Sequence, residues 1–173
     1  LGYAYLNIAD VHENYSRSDM ALRFYERAIE LLKETSRKNY LSTAYNNMGL
    51  AYLNTGDYKT ALKNHLAALK LKNETGDEAG LANVHQNIGN VYFNTGDYKA
   101  ALSNYYEALE RSIQANDMRL TTMLYSNLGV VHQYMGEQEK ALSSYKKSLE
   151  QAELSGYRKE AASCSVNIGN VLL

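Results

Sequence analysis

Proline is absent from the 173 residues, and cysteine occurs once, as Cys164. The first absence removes the residue that most firmly interrupts a helix, since its ring fixes φ and it has no backbone N–H to donate. The second excludes an internal disulfide and favours a reducing, cytoplasmic setting. An excess of either charge is also missing: 18 Lys and Arg oppose 19 Asp and Glu, for a net charge of −1. With no basic surplus, nothing in the composition points to nucleic acid. No apolar run is long enough to cross a bilayer, which argues against a membrane partner. The opening residues, Leu1 to Tyr5, lack the charged-then-apolar plan of a secretory signal. They also lack a starting Met, and the chain ends on Val171, Leu172 and Leu173, so the sequence reads as a piece excised from a longer protein. No phosphate loop, Cys pair or recurrent Ser/His/Asp set appears, so no enzyme activity, cofactor or metal is expected.

What is present is a period. Asn7, Asn47, Asn87, Asn127 and Asn167 fall forty residues apart. In the same register stand Gly49, Gly89, Gly129 and Gly169, with Ala9 in the first copy. Seven residues on come Gly56, Gly96 and Gly136, with Ser16 in the first copy. Ala21-Leu22, Ala61-Leu62, Ala101-Leu102 and Ala141-Leu142 follow, and then Ala28, Ala68, Ala108 and Ser148. Self-similarity at such a period marks a repeat architecture.

Each repeat reads as two helices. Apolar or aromatic residues at i, i+3, i+4 and i+7, as in Tyr45, Met48, Gly49 and Tyr52, define the first. Ala61, Leu62, His65, Ala68 and Leu69 define the second. Between them, Asn54-Thr55-Gly56-Asp57 supplies a left-handed stop and an N-cap, and residues 94–97 repeat it identically. The joints between repeats reuse this chemistry at Gly76-Asp77, Asn116-Asp117 and Gly156. Helices of about 16 to 19 residues result, roughly 25 Å long. A helical Gly costs about 1 kcal/mol relative to Ala. Its recurrence in the first helices therefore predicts close approach of the second helix through its small Ala61-type and Ala68-type residues.

These positions resemble the tetratricopeptide repeat along essentially the whole chain. The bulky–aliphatic–small–aromatic pattern of that family's first helix is matched by Tyr45, Met48, Gly49, Tyr52; by His85, Ile88, Gly89, Tyr92; and by Tyr125, Leu128, Gly129, His132. Its second-helix pattern is matched by Ala61, His65, Ala68; Ala101, Tyr105, Ala108; and Ala141, Tyr145, Ser148. The resemblance implies an all-α, right-handed α-solenoid of stacked antiparallel hairpins. The chain would hold four full repeats, about 2–41, 42–81, 82–121 and 122–161, and a partial fifth at 162–173, all in a single solenoid segment. The common unit has about 34 residues, and this longer one lacks the usual Pro that ends the second helix. The added length must therefore sit in the helices around each joint. Long repeats of this kind resemble those of spindle-orientation adaptors, kinesin light chains and bacterial regulatory proteins.

The four histidines stand at ring positions of the repeat and read as packing residues, and Cys164 reads as a core thiol. Lys63, Lys70, Lys72, Glu107, Glu110, Arg111, Lys146 and Lys147 read as a solvated convex face of the second helices. The first helices differ. Residues 39–54, 79–94, 120–135 and 161–173 contain no Asp, Glu, Lys or Arg. At 100° per residue, Asn47 lies about 150° from the centre of the packing set, on a face its own hairpin leaves free. In a tetratricopeptide stack that face would line a concave groove. One row is the five asparagines. Flanking rows are Asp10, Leu50, Asn90, Val130, Asn170; Asn14, Asn54, Asn94, Tyr134; and Tyr3, Thr43, Asn83, Met123.

An Asn amide both donates and accepts, so it pairs with a peptide unit whatever its side chain. The expected peptide-binding groove is Asn7, Asn47, Asn87, Asn127 and Asn167 with Asn54, Asn83, Asn90 and Asn94. Leu50, Phe93, Met123, Val130 and Tyr134 add apolar specificity. The expected function is a non-enzymatic scaffold that binds a peptide or helix of a protein partner. The related repeats use similar Asn rows for peptide contact, which the resemblance implies here. Alternatively, the row only braces adjacent first helices, or the chain is a sensor segment of a larger kinase or transcriptional regulator. The missing groove cations exclude repeats that grip acidic tails. Uncapped solenoid ends predict self-association.

Overall fold

A computed structural model describes residues 1–15 and 17–172; Ser16, aligned above with the turn glycines, and Leu173 lie outside them. Among the described residues there are nine α-helices and no strand. They are α1 (Gly2–Asn14), α2 (Ser18–Lys33), α3 (Lys38–Asn54), α4 (Tyr58–Thr75), α5 (Glu78–Asn94), α6 (Tyr98–Gln114), α7 (Met118–Tyr134), α8 (Gln138–Leu154) and α9 (Arg158–Leu172). The odd-numbered helices are the first helices of the repeats, and the fold is an all-α solenoid of helix hairpins. None of the described helices is long and apolar enough to cross a membrane. The chain divides into two compact units, Leu1–Val91 and Tyr92–Leu173.

The turns close as their chemistry dictates. Gly56 takes φ 82°, the Asp57 N–H donates to the Tyr52 carbonyl at 3.0 Å, and the Gly56 N–H donates to Leu53 at 3.1 Å. This satisfies the last carbonyls of α3. The Asp57 carboxylate then accepts from the Thr60 N–H at 3.1 Å and caps α4. Asp97 and Asp117 cap α6 and α7 in the same way. Before α7 the left-handed position is held by Asn116 at φ 53°, a residue type that tolerates it. Before α8 the Glu137 side chain is diverted. It accepts from Lys140 at 3.0 Å and meets His132 Nδ1 at 2.6 Å, which holds its carboxyl below the usual range.

In the first unit, α1 packs on α2 and α3 on α4, and α2 and α3 join the two hairpins. The floor is Ala9, Ala21, Ala28, Ala44, Ala51, Ala61 and Ala68, all fully buried. In the second unit, α7 packs on α8, flanked by α6 and α9. The helical glycine has a different cause from the one expected. Ala61 and Ala68 line the hairpin, yet the group over Gly49 is the His65 ring, 2.7 Å from where a Cβ would stand. Over Gly129 it is the Tyr145 ring, at 2.6 Å. Glycine makes room for a ring of the second helix, so backbones need not approach. Gly169 on α9 has nothing within 4 Å of that place.

Three of the histidines, His12, His65 and His132, pack as their positions predict. His12 stacks on Phe24 at 5.2 Å, and His132 is buried. His65 is fully buried, with Nδ1 3.1 Å from Asn46 Oδ1 and Nε2 enclosed without a partner. Asn46 Oδ1 can only accept, so the proton sits on Nδ1 of a neutral ring. Burial depresses its pKa to about 4.

Two outcomes follow for stability. Gly129→Ala drives a methyl into the Tyr145 ring and should cost about 1–3 kcal/mol in urea unfolding. Gly169→Ala meets open space and should be neutral or gain up to about 1 kcal/mol. His65 should make the chain acid-sensitive. Between its folded pKa of about 4 and an ordinary 6.5, the unfolded ring binds more protons than the folded one. Stability contributed by the neutral ring is then complete above pH 6.5 and falls toward pH 4, by about 3 kcal/mol. His65→Tyr restores the ring type of Tyr25, Tyr105 and Tyr145 and should flatten that part of the curve, read by denaturant titration at pH 7 and pH 4.5.

Candidate functional site

The rings of Tyr25, His65 and Tyr145 also carry a polar tip, and each tip ends on a polar side chain of the first helix. Tyr25 Oη donates to Asp10 Oδ1 at 2.7 Å, and burial followed by this bond pushes its pKa far upward. Tyr145 Oη donates to Gln133 Oε1 at 3.0 Å, and its pKa is pushed up to about 12 by burial. His65 meets Asn46. Two of these acceptors take a second bond from the next repeat. Asn47 Nδ2 donates to Asp10 Oδ1 at 2.9 Å, and Asn87 Nδ2 donates to Asn46 Oδ1 at 3.0 Å. A ring from one side and a row asparagine from the other thus converge on one oxygen at each seam, α1/α3 and α3/α5.

The acceptor changes place for a local reason. At the position of Asn46 the first repeat has Leu6, which cannot accept, and Asp10 one turn later supplies the oxygen. In the second repeat the position of Asp10 is Leu50, and Asn46 serves instead. Asn54 adds a third cross-seam bond, donating to Glu13 Oε1 at 2.9 Å. Each of these bonds uses one amide N–H, which leaves the other N–H and the carbonyl of the same side chain.

Three row asparagines line clefts between first helices. Asn47 lies with Asp10, Glu13, Asn14, Tyr25 and Leu50 around about 340 Å³ at the α1/α3 seam. Asn87 lies with Thr43, Asn46, Leu50, Asn83 and Gln86 around about 410 Å³ at α3/α5. Asn127 lies with Thr122, Met123, Ser126, Lys159, Glu160, Ser163 and Cys164 around about 290 Å³ at α7/α9. Asn87 is only 8% exposed, whereas Asn47 and Asn127 are half-buried.

The remaining candidates are scattered. Asn7 is exposed on α1, and Asn167 is half-buried on α9. Asn83 is exposed and donates to Ala79 in its own helix. Asn90 and Val130 are half-buried, and Asn94 is exposed. Phe93, Tyr98 and Tyr134 form a ring cluster in the second unit, with Phe93 edge-on to Tyr134 at 5.2 Å. Tyr134 is still 65% exposed there. Among the described residues no cluster of His, Cys, Asp and Glu could hold a metal ion. Cys164 is buried, with Sγ 3.0 Å from Ser148 Oγ.

Two features were not anticipated. Lys72, read above as part of the solvated convex face, is only 9% exposed and lines the α3/α5 cleft. Its stem crosses Gly80, and its Nζ pairs with Asp77 Oδ2 at 2.5 Å, so the charge enters the cleft already matched. That pairing holds the Asp77 carboxyl below its usual range. Asn46, Gln86 and Ser126 were also missed, although polar residues recur there one place before the row in the three middle repeats.

Comparison with known proteins gives the fold a family. Models described as tetratricopeptide repeat match residues 2–32, 40–114 and 121–151. No curated protein matches by sequence. Among solved structures, the apo form of RapI superposes with a TM-score of 0.94 at 19% identity, over 99% of this chain and 63% of its own. Aspartyl phosphate phosphatase F from Bacillus subtilis gives 0.94 at 14% identity, over 99% and 45%. BtubC (BKLC) from P. vanneervenii gives 0.74 at 18%, over 94% and 76%. This chain therefore spans less than two thirds of the first two. At these identities the likeness is one of fold, and it agrees with the repeat matches. The chain belongs to the tetratricopeptide repeat family.

Proposed function

We propose that this tetratricopeptide chain is a non-enzymatic, cytoplasmic interaction scaffold that holds an extended, uncharged peptide of a protein partner against its first helices. The observation that carries the reading is that Asn47, Asn87 and Asn127 each line a cleft between successive first helices. A half-buried carboxamide is the side chain that best matches a main-chain CONH group, because it supplies a donor and an acceptor side by side. Bracing does not compete with this role for Asn47 and Asn87. One N–H fixes the amide plane, and the carbonyl and second N–H remain for a ligand. Leu50, Met123 and Val130 stand one turn from row asparagines and would receive alternate side chains of the peptide. No nucleic acid or membrane enters this reading.

A second reading, a ligand-sensing segment of a larger signalling protein, draws on one observation. The chain matches RapI and aspartyl phosphate phosphatase F over nearly its whole length while covering only part of each. Both readings place the ligand on the same helices.

Charge decides the test. The described first helices α3 and α7 carry no ionised side chain between Asn39 and Asn54 or between Leu120 and Met135, Lys72 is neutralised by Asp77, Asp10 and Glu13 at α1/α3 accept from Tyr25, Asn47 and Asn54, and the α7/α9 cleft holds one charge of each sign, Lys159 and Glu160. Peptides selected on this chain from a random library should be mostly uncharged. Their affinity, read by fluorescence anisotropy, should change less than about threefold between roughly 0.05 and 0.5 M salt. The Asn127→Ala variant should weaken binding at an unchanged melting temperature. Selection of strongly acidic or basic peptides, or binding untouched by the Asn127→Ala variant, would contradict the proposal.

A further inference from the structure

The second helices of the first unit leave a cleft of their own, over the face of α3 that points away from the asparagine row. α2 and α4 both pack on α3 and, among the described residues, not on each other. Between them lies a cavity of about 500 Å³, larger than each of the three clefts between first helices. Its floor is apolar. Ile29 of α2 and Met48 of α3 are buried there, and the ring of Tyr45 is half-buried beside them.

The two walls carry charge of opposite sign. On the α2 wall Glu26, Glu30 and Glu34 stand one helical turn apart in a line. The α4 wall presents Lys63 beside Thr60 and the buried Asn64. Two of the charges are already engaged. Glu30 pairs with Arg27, and the Lys33 ammonium stands 5.9 Å over the Tyr45 ring. Glu26, Glu34 and Lys63 are exposed and, among the described residues, have no ion-pair partner. Two repeats on, the position of Glu26 is held by Tyr106, whose phenol reaches α7 with Oη 3.4 Å from His132 Nε2. The same place on a second helix thus carries a ring in the second unit and a carboxylate in the first, so the α2/α4 cleft has no ring of its own there.

We propose that this cleft is a second docking site, on the second-helix side of the chain, for one amphipathic helix of a folded partner protein. An aromatic side chain of that helix seats on Tyr45, Met48 and Ile29, where the second unit would use its own Tyr106. Lys or Arg residues spaced one turn apart face Glu26 and Glu34, and an acidic residue faces Lys63. The opposite signs of the two walls fix the direction in which the helix lies, since turning it end for end brings like charges together. A helix already folded on its partner docks without the cost of ordering a short peptide, so extended peptides do not compete for this place. The site is independent of the peptide-binding reading of the asparagine row.

The test uses the full chain and a fluorescein-labelled helical probe, acetyl-Ala-Arg-Ala-Glu-Phe-Arg-Ala-Glu-Leu-Arg-Glu-Phe-Arg-Ala-Glu-Leu-amide, whose Arg, apolar and Glu residues form three adjacent stripes. Fluorescence anisotropy should show saturable binding that weakens at least about threefold between roughly 0.05 and 0.5 M salt, because its ion pairs are exposed. Glu26→Lys combined with Glu34→Lys should weaken binding about tenfold at the lower salt, with little change in the melting temperature. That variant should prefer a probe with every Arg replaced by Glu, which the original chain binds less well. Glu26→Tyr puts a ring where Tyr106 has one and should abolish binding with the melting temperature kept or raised. Asn127→Ala should leave probe affinity within about twofold, because the probe does not touch the row. Binding that survives Glu26→Tyr, or that is lost in Asn127→Ala, would seat the probe elsewhere and overturn the proposal. So would the lack of saturable binding at probe concentrations up to about 1 mM. A chain that light scattering finds dimeric without probe, and monomeric as Glu26→Tyr, would make a second copy the occupant and overturn the partner helix.

Discussion

A ring of the second helix seated over a glycine of the first, His65 over Gly49 and Tyr145 over Gly129, is the contact on which the rest of this structure turns. It fixes the rotational phase of α3 and α7, because only one position in each of these helices lacks a Cβ. Once Gly49 and Gly129 are set under His65 and Tyr145, Asn47 and Asn127, two residues earlier, must point away from the hairpin core. The same ring carries a polar tip beyond the glycine, and the tip needs an acceptor on the far side. Packing inside a hairpin and polarity on the outer face of its first helix are thus consequences of one side chain.

That linkage explains why the acceptors are the most individual residues in an otherwise periodic chain. An imidazole that must stay neutral needs an acceptor such as Asn46, and a phenol can use the carboxylate of Asp10 or the carboxamide of Gln133. Where the acceptor has a spare lone pair and the next repeat supplies an asparagine, the seam is braced as well. Where it does not, buried hydroxyl and thiol groups hold the seam from beneath, as Ser148 and Cys164 do between α8, α7 and α9. The asparagines therefore keep their period for packing reasons, while what each one bonds to varies from seam to seam.

Much of this was legible in the sequence. The turns were readable because their chemistry is local: Asn54-Thr55-Gly56-Asp57 contains both the left-handed stop and the cap. The phase of the asparagines was readable because helical geometry converts spacing into angle. The cause of the helical glycine was not, since small residues and a ring on the second helix recur with the same period, and spacing cannot say which one faces Gly49. Lys72 was misplaced because its destination depends on Gly80 and Asp77, which belong to the following helix and its cap. The choice between brace and ligand contact depends on side-chain reach across a seam, from Asn87 to Asn46 or from Asn47 to Asp10.

The central claim is that the half-buried amides at the first-helix seams face a bound peptide main chain. A crystal structure of this chain with one library-selected peptide tests it most directly. The account predicts an extended peptide lying on the odd-numbered helices, with the Asn127 carboxamide accepting from and donating to the same or adjacent peptide units. A peptide seated on the outer faces of α2, α4, α6 or α8, leaving every row asparagine without a ligand bond, would contradict it.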